Sequence, residues 1–228
     1  MKVRQTEVSE ADRASASIFF DALTRYWDLS EAKALDMFAR TGELTVTNYH
    51  NAVAELDLWE LNPEHEEALR RFVPNDLKIG CSYQHLNTCE KKYDFIVVDT
   101  PQGLHSDHLG MTHVEHFDVL RSLTRIMEER CIVVLYVNMA PYNRDEEGSH
   151  GYDEYDEYDF EAWMEYRADV FGTDGLVVES QALKTYEDIF LSMGYVVRNV
   201  LMVPCFSDAP GREPYAFRLA LDVVLMGV

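Results

Sequence analysis

The sequence has few basic residues, no long hydrophobic run and no closely spaced cysteine pair. Lysine and arginine number 20 against 41 aspartate and glutamate residues, which gives a net charge of −21. Proteins that bind nucleic acid unaided neutralise phosphates with clustered lysine and arginine, so this balance argues against such binding. Acid excess also occurs in proteins adapted to a salty cytoplasm and in mimics of DNA, and composition does not separate these from simple solubility.

The absence of an apolar run of about 18 residues predicts that the chain has no transmembrane helix. Its opening residues, MKVRQTEVSEADR, are too polar for the apolar segment of a signal peptide, so we predict a cytoplasmic protein with no membrane partner. The four cysteines lack the paired short spacing of a zinc cluster and are predicted to be free thiols; they are Cys81, Cys89, Cys131 and Cys205.

Strand and helix patterns alternate along the 228 residues, as they do in α/β proteins with a mostly parallel sheet. Strands are predicted for seven apolar segments: KALDMF, LDLWEL, DLKIGCS, YDFIVVD, CIVVLYV, YVVRNVLMVPCF and YAFRLALDVVLM. The last two are joined by SDAPGRE, a loop short enough for an antiparallel hairpin. The pattern therefore predicts a mostly parallel, seven-stranded sheet with an antiparallel hairpin at its C-terminal end.

Helices are predicted for the intervening segments with apolar residues at helical spacing. The segment NPEHEEALRRF has clear start signals, since Asn62 can cap it and Pro63 suits the first helical position. A longer helix is predicted for HVEHFDVLRSLTRIMEE, with Val114 and Met127 near the two ends of its apolar face. The helix VESQALKTYEDIFLSM is predicted to end at Gly194.

This order of elements resembles that of the class I S-adenosylmethionine-dependent methyltransferases. The resemblance covers residues 29–228 and implies a Rossmann-like three-layer sandwich that binds S-adenosyl-L-methionine. Residues 1–28 are then expected to form an N-terminal helical extension. The acidic, low-complexity stretch at about 141–176 is expected to be an insertion in the methyltransferase-like domain.

The segment LDMFARTG resembles the glycine-rich motif that follows the family's first strand. The match implies cofactor-binding roles for Asp36, Phe38, Ala39 and Gly42. Arg40 stands where the family has its first glycine, a residue that permits positive φ and close approach of the backbone to a ligand. Arg40 is therefore expected either to turn away, pairing with the cofactor's carboxylate, or to fill the pocket.

Two further positions are assigned to the cofactor. Glu60 ends the second strand and follows the glycine turn at a distance that suits an acid accepting both ribose hydroxyls. Its alternative role is that of an acid near the helix cap at Asn62. Ser82 follows the third strand, where the family contacts the adenine ring, and is a candidate for that contact.

The segment VVDTPQG resembles the motif after the family's fourth strand and places Asp99 as a catalytic residue. Amino-methylating members have Asp-Pro-Pro-Tyr there; Asp99 and Pro101 match, whereas Thr100 and Gln102 depart. The missing aromatic residue removes a platform on which a base would stack, which argues against adenine or cytosine as the acceptor.

Histidines concentrate in HSDHLGMTHVEHFD, after Asp99. His113 and His116 have a spacing that could supply two metal ligands from a helix, and Asp99 with Asn138 echoes a cation site of some family members. We prefer a substrate or proton-transfer role, assign His105 and His116 as catalytic candidates, and predict no metal.

The acidic insertion has three interpretations: a lid over the substrate, a surface for a protein partner, or a solvated charge run. Arg167, on a helix predicted for FEAWMEYRADVF, could bind a substrate anion or balance nearby acids.

Methyl transfer to a nitrogen or oxygen nucleophile of unknown identity is the leading functional hypothesis. Arg40, Thr100 and Gln102 motivate a second, a catalytically inactive interaction protein with the same fold. The third is a nucleic-acid base amino-methyltransferase whose partner supplies the basic surface that this chain lacks.

Overall fold

The structure is a computed structural model that describes residues 9–99, 104–106, 112–114, 116–139, 157–173, 176–206 and 214–227. Its seven-stranded sheet consists of β1 (Lys33–Asp36), β2 (Glu55–Glu60), β3 (Asp76–Ile79), β4 (Tyr93–Val98), β7 (Met127–Asn138), β8 (Tyr195–Cys205) and β9 (Ala216–Leu225). A separate two-stranded sheet, which was not predicted, pairs β5 (Leu104–Ser106) with β6 (Thr112–Val114). Each of the seven predicted strands is found in the large sheet.

The strand order is β3-β2-β1-β4-β7-β9-β8. Strands β1 to β4 and β7 run parallel to one another, whereas β9 lies antiparallel between β7 and β8. This arrangement confirms the predicted mostly parallel sheet and its antiparallel C-terminal hairpin.

Seven α-helices occur among the described residues: α1 (Glu10–Tyr26), α2 (Val46–Tyr49), α3 (Glu66–Arg70), α4 (Ser82–Thr88), α5 (Phe117–Leu123), α6 (Glu157–Phe171) and α7 (Glu179–Ser192). Asn62 caps the turn before α3, since its side chain accepts a hydrogen bond from the Glu64 amide at 3.0 Å. In the described part of the chain, no helix has the length and apolarity needed to cross a membrane.

Two apolar cores cover the two faces of the sheet, because successive strand residues point to opposite sides. In β1, Leu35 belongs to the core that includes α5 and α7, and its neighbour Ala34 to the core that includes α1 and α2. Helix α1 contributes Phe19, Phe20 and Leu23, all fully buried. The three-layer sandwich is therefore confirmed.

The predicted helix over residues 113–129 is shorter than expected. It spans Phe117–Leu123, while Val114 lies in β6 and Met127 begins β7. Met127 pairs with Tyr93 of β4, and Val114 pairs with Leu104 of β5. The pairing of Met127 with the distant Tyr93 and the short hairpin of β5 and β6 override the local helical spacing.

Candidate active site

The candidate site lies where the strand order of the sheet reverses, between β1 and β4. In open α/β sheets, ligands bind in the crevice at the carboxyl ends of the strands on either side of such a reversal. Asp36 is the last residue of β1, and Asp99 follows the last residue of β4. Both carboxyl groups are buried, at 1% and 3% exposure.

A small, partly open pocket lies in this crevice and is lined by Phe38, Ala39, Arg40, Thr41, Leu44, Thr45 and Asp99. It has room for little more than a water molecule, so a larger ligand requires the side chains of the lining to move. Phe38 and Ala39, two of the predicted cofactor residues, line it directly, as does the predicted catalytic residue Asp99.

Asp36 anchors the turn that forms the pocket. Its Oδ2 accepts hydrogen bonds from the Thr45 hydroxyl at 2.8 Å and the Tyr49 hydroxyl at 3.1 Å, and its Oδ1 accepts one from the Phe38 amide at 3.3 Å. Burial raises the pKa of Asp36 to about 7, and the negative charge of Asp99 adds to the rise. Asp36 thus links β1, the turn and α2.

The pKa of Asp36 predicts how stability depends on pH. The folded protein keeps this proton at pH values where the unfolded chain has lost it, so stability falls as pH rises from about 4 to about 7, by on the order of 3 kcal/mol. Asp36→Asn should remove this part of the dependence, as measured by urea unfolding across that range. Exposed Asp21→Asn is the control. An Asp36→Asn variant with the wild-type pH slope would contradict the prediction.

Arg40 adopts the backbone conformation of the glycine that it replaces. Its φ is +51°, in the left-handed region, where a non-glycine residue is uncommon. The conformation directs the Arg40 amide to Glu60, whose Oε2 accepts its hydrogen bond at 2.6 Å. The turn therefore keeps the shape of a glycine turn although it carries a large cationic side chain at the pocket.

Gly42 closes the turn. Its φ is +74°, and its amide donates to the Ala39 carbonyl at 2.8 Å. A Cβ atom at this position would lie 2.3 Å from Cε2 of the Phe72 ring. Both the backbone conformation and the packing of Phe72 therefore require glycine here.

Glu60 is bonded within the protein at both carboxylate oxygens. Besides the Arg40 amide on Oε2, Oε1 accepts from the Asn62 amide at 2.8 Å and lies 3.2 Å from Nδ1 of His65. Glu60 is 6% exposed. Its carboxylate joins the end of β2 to the β1 turn, in agreement with a position beside the pocket.

Ser82 begins α4 and is buried. Its hydroxyl donates a short hydrogen bond to the Met37 carbonyl, just after β1. Ser82 therefore ties α4 to the turn that lines the pocket, and the adenine contact predicted for it stays a prediction.

Asp99 is paired with an arginine that sequence reasoning missed. Nε of Arg218, on β9, lies 3.4 Å from Oδ1 of Asp99, and the Arg218 side chain is fully buried. Nη1 of Arg218 donates to the Ser15 hydroxyl of α1 at 3.0 Å and lies 3.3 Å from the Cys205 sulfur. The available signal was a single arginine inside the apolar run YAFRLALDVVLM.

The oxygens of Asp99 accept no hydrogen bond from any residue that the structure describes. Burial raises the pKa of Asp99, while the Arg218 and Arg40 guanidinium groups oppose the rise. Because Asp99 belongs to the pocket lining, its carboxyl group can accept a hydrogen bond from a ligand.

The two histidines predicted as catalytic have different outcomes. His116 is 1% exposed, its Nε2 lies 2.6 Å from the Tyr186 hydroxyl, and burial lowers its pKa to about 3. Because it packs in the aromatic core with Phe117, we propose no catalytic role for it. The backbone of His105 pairs with His113 in the small sheet, and its side chain lies outside the described residues.

Arg167 binds the end of β7. Its Nη2 donates to the Asn138 carbonyl at 2.7 Å and the Met139 carbonyl at 3.3 Å. Asn138 is buried, and its side-chain amide nitrogen has no partner among the described residues. Within the same residues, no group of three or more histidine, cysteine or acidic side chains is placed to hold a metal ion. Thr100, Pro101, Gln102 and, of the acidic insertion, residues 141–156 and 174–175 lie outside them.

Comparison with known proteins shows the fold. No protein-family model matches the sequence, and no curated protein matches it. Among solved structures, M. jannaschii TYW2 in complex with AdoMet superposes with a TM-score of 0.56 and 10% identity, covering 99% of this chain and 81% of TYW2. For Trm5b from Pyrococcus abyssi the values are 0.53 and 14%, covering 99% of this chain but 52% of Trm5b.

A third match is the magnesium protoporphyrin IX methyltransferase ChlM from Synechocystis PCC 6803, with bound SAH. Its TM-score is 0.52 at 12% identity, and the match covers 97% of this chain and 90% of ChlM. Together with the strand order, these likenesses show that the chain has the class I S-adenosylmethionine-dependent methyltransferase fold.

Proposed function

We propose that the protein transfers the methyl group of S-adenosylmethionine to a nitrogen or oxygen nucleophile. The observation that carries this proposal is the pocket at the β1–β4 reversal, with a glycine-type turn on one side and Asp99 on the other. The fold agrees with it, because the matched TYW2 and ChlM structures contain AdoMet and SAH. The chain is then an enzyme whose pocket binds this cofactor.

The residues around the pocket fit the cofactor's chemistry. The turn from Phe38 to Gly42 offers backbone groups at close range, Glu60 lies at the end of β2 for the ribose hydroxyls, and Ser82 lies at the start of α4 near the adenine. Bound S-adenosylmethionine would supply an electrophilic methyl group on a sulfonium ion. Asp36 holds the turn in place for it through Thr45.

Asp99 is the proposed general base. Asp99 belongs to the pocket lining, and we propose that the N–H or O–H group of an acceptor donates a hydrogen bond to its carboxylate. The carboxylate then orients the acceptor and takes its proton during methyl transfer, a contribution typically worth about 10²–10⁴ in rate. Arg218 keeps this buried carboxyl group paired with a positive charge.

The net charge of −21 bears on the identity of the methyl acceptor. It favours a small molecule, or a macromolecule delivered by a partner, over a nucleic acid that this chain binds unaided. If the acceptor is a nucleic-acid base, a partner supplies the basic surface. We place the reaction in the cytoplasm, with the acidic insertion as the surface for a protein partner.

A catalytically inactive interaction protein is the second candidate, and the bonding of Glu60 favours it. Both of its oxygens already accept hydrogen bonds from the protein, and the residue is almost fully buried. To bind a ribose, Glu60 has to share these acceptor positions with the ribose hydroxyls. A protein that binds no cofactor has no need of such sharing.

Calorimetry combined with methyl transfer distinguishes the two candidates. We expect saturable one-to-one binding of S-adenosylhomocysteine, and transfer of labelled methyl from S-adenosylmethionine to a fraction of a cell extract. Asp99→Asn should lower transfer by about 10²–10⁴. Because it leaves the buried Arg218 without a carboxylate partner, its thermal unfolding is measured too, and transfer is compared well below its melting temperature. Binding without transfer to any fraction would favour the inactive protein, and absence of binding at millimolar ligand would refute the enzyme.

A further inference from the structure

Arg40 brings a positive charge to an otherwise acidic pocket. Among the described residues that line the pocket, Arg40 is the basic one, and Asp99 is the acidic one. Asp36 lies beneath the same turn, and Glu60 binds the Arg40 amide. Three carboxyl groups therefore lie in or beside the space assigned to the ligand, and the buried Arg218 guanidinium group is paired with one of them, Asp99.

The position of Arg40 is set by its backbone. The left-handed φ of +51° and the short hydrogen bond to Glu60 hold the residue within the turn, between Ala39 and Thr41 of the pocket lining. Burial raises the pKa of Asp99, and the positive charges of Arg218 and, to a smaller extent, Arg40 oppose this rise. The positive charge thus acts within the pocket.

S-adenosylmethionine carries a sulfonium, an ammonium and a carboxylate. An acidic pocket favours the two cationic groups and repels the carboxylate, unless a cation meets it. Guanidinium binds carboxylate with two parallel hydrogen bonds, which makes arginine well suited to this contact.

Building on the proposed function, we propose that the Arg40 guanidinium binds the carboxylate of the methionine part of the cofactor. Arg40, which stands in place of a glycine of the motif, then contacts the cofactor through a charge-assisted side-chain hydrogen bond. This contact replaces one that the backbone makes at a glycine. The pocket thereby selects ligands that carry the carboxylate.

Binding of three ligands by calorimetry tests this contact without any acceptor. S-adenosylhomocysteine carries the carboxylate, S-adenosyl-3-thiopropylamine lacks only that group, and 5′-methylthioadenosine lacks the whole amino-acid part. The wild type should bind the first about 10 to 100 times more tightly than the second, the size expected of a charged hydrogen bond.

Arg40→Gly should abolish this preference while leaving the affinity for 5′-methylthioadenosine within about twofold. Glycine adopts the observed φ without strain, so this variant should fold. Arg40→Lys should keep part of the preference, because it keeps the charge but not the planar donor pair. Arg70→Gln, which removes an equal charge from an exposed pair with Glu66, is the control and should bind all three ligands as the wild type does.

The outcomes separate this inference from the function on which it rests. Equal weakening of all three ligands in Arg40→Gly would overturn the carboxylate contact but leave the cofactor site intact. Tighter binding of all three would overturn it too, by showing that Arg40 fills the pocket. If neither the wild type nor any variant binds any ligand, the proposed function fails and the inference with it.

Discussion

Replacement of Arg218 by methionine is expected to lower the free energy of unfolding by about 3–5 kcal/mol at about pH 8. Methionine fills a similar volume but leaves the Asp99 carboxylate buried and without the guanidinium that lies 3.4 Å away. It also removes the donor to the Ser15 hydroxyl of α1. The cost arises because a buried charge without a partner is far less stable than the same charge in water.

The same loss should depend on pH and on Asp99. Burial already raises the pKa of Asp99, and removal of Arg218 raises it further, so the carboxyl group becomes neutral on acidification. The destabilisation should therefore be smaller at about pH 5 than at about pH 8. Adding Asp99→Asn to Arg218→Met should recover much of it.

Urea unfolding of the single and double variants measures these effects. Arg70→Met, which breaks an exposed pair with Glu66, should cost no more than about 1 kcal/mol and serves as the control. If Arg218→Met is as stable as this control, Arg218 does not compensate the negative charge of Asp99. The same conclusion follows if the loss of stability persists when Asp99→Asn is added.

Gly42→Ala is expected to destabilise the protein by about 2–4 kcal/mol and to abolish cofactor binding. The methyl group meets the Phe72 ring at 2.3 Å, in a backbone conformation that alanine rarely adopts. Strain of the left-handed conformation accounts for about 1 kcal/mol, and overpacking against Phe72 accounts for the rest. A shift of the turn to relieve the contact moves Arg40 and Thr41 in the pocket lining.

Gly172→Ala is the matched control, because Gly172 has a similar φ of +70° and no atom of the described residues lies within 4 Å of the added Cβ. It should cost only about 1 kcal/mol and leave cofactor binding unchanged. Thermal unfolding and calorimetry with S-adenosylhomocysteine measure both variants. Equal stability losses would mean that Phe72 moves aside freely, and wild-type affinity in Gly42→Ala would mean that the turn does not shape the site.

The sheet could be predicted because its strands are short apolar runs separated by clear helix and turn signals. Burial on both faces makes such runs nearly continuous, as in YDFIVVD, and the element order then indicates a mostly parallel sheet with a C-terminal hairpin. Prediction failed at Val114 and Met127. Met127 pairs with Tyr93, which is distant in sequence, and Val114 pairs with Leu104 in a short hairpin that the helical spacing conceals.

The sequence pointed to parts of the candidate site through the resemblance of two segments to family motifs. Of the residues assigned in this way, Phe38, Ala39 and Asp99 line the pocket, and their roles stay predictions. The pairing of Asp99 with Arg218 depends on the sheet bringing β4 and β9 near each other across β7, which no local pattern reveals.

His116 also shows that a local sequence pattern does not reveal contacts between distant elements. Its place in a histidine-rich segment suggested proton transfer, yet its ring packs with Tyr186 of α7 in the core. Whether a histidine faces a pocket or the core depends on which helix packs against it. The residues next to the histidine in sequence do not reveal this. Arg40 differs, since its backbone conformation follows from the glycine turn that it occupies.

A crystal structure with bound S-adenosylhomocysteine tests the central claim most directly, since that claim assigns the cofactor to the pocket at the β1–β4 reversal. We expect the adenosine at the carboxyl ends of β1 and β2, the ribose hydroxyls at Glu60, and the sulfur facing Asp99. The claim would be contradicted if ligand density appeared only outside this pocket. It would also be contradicted if crystals soaked at a saturating ligand concentration showed no bound ligand.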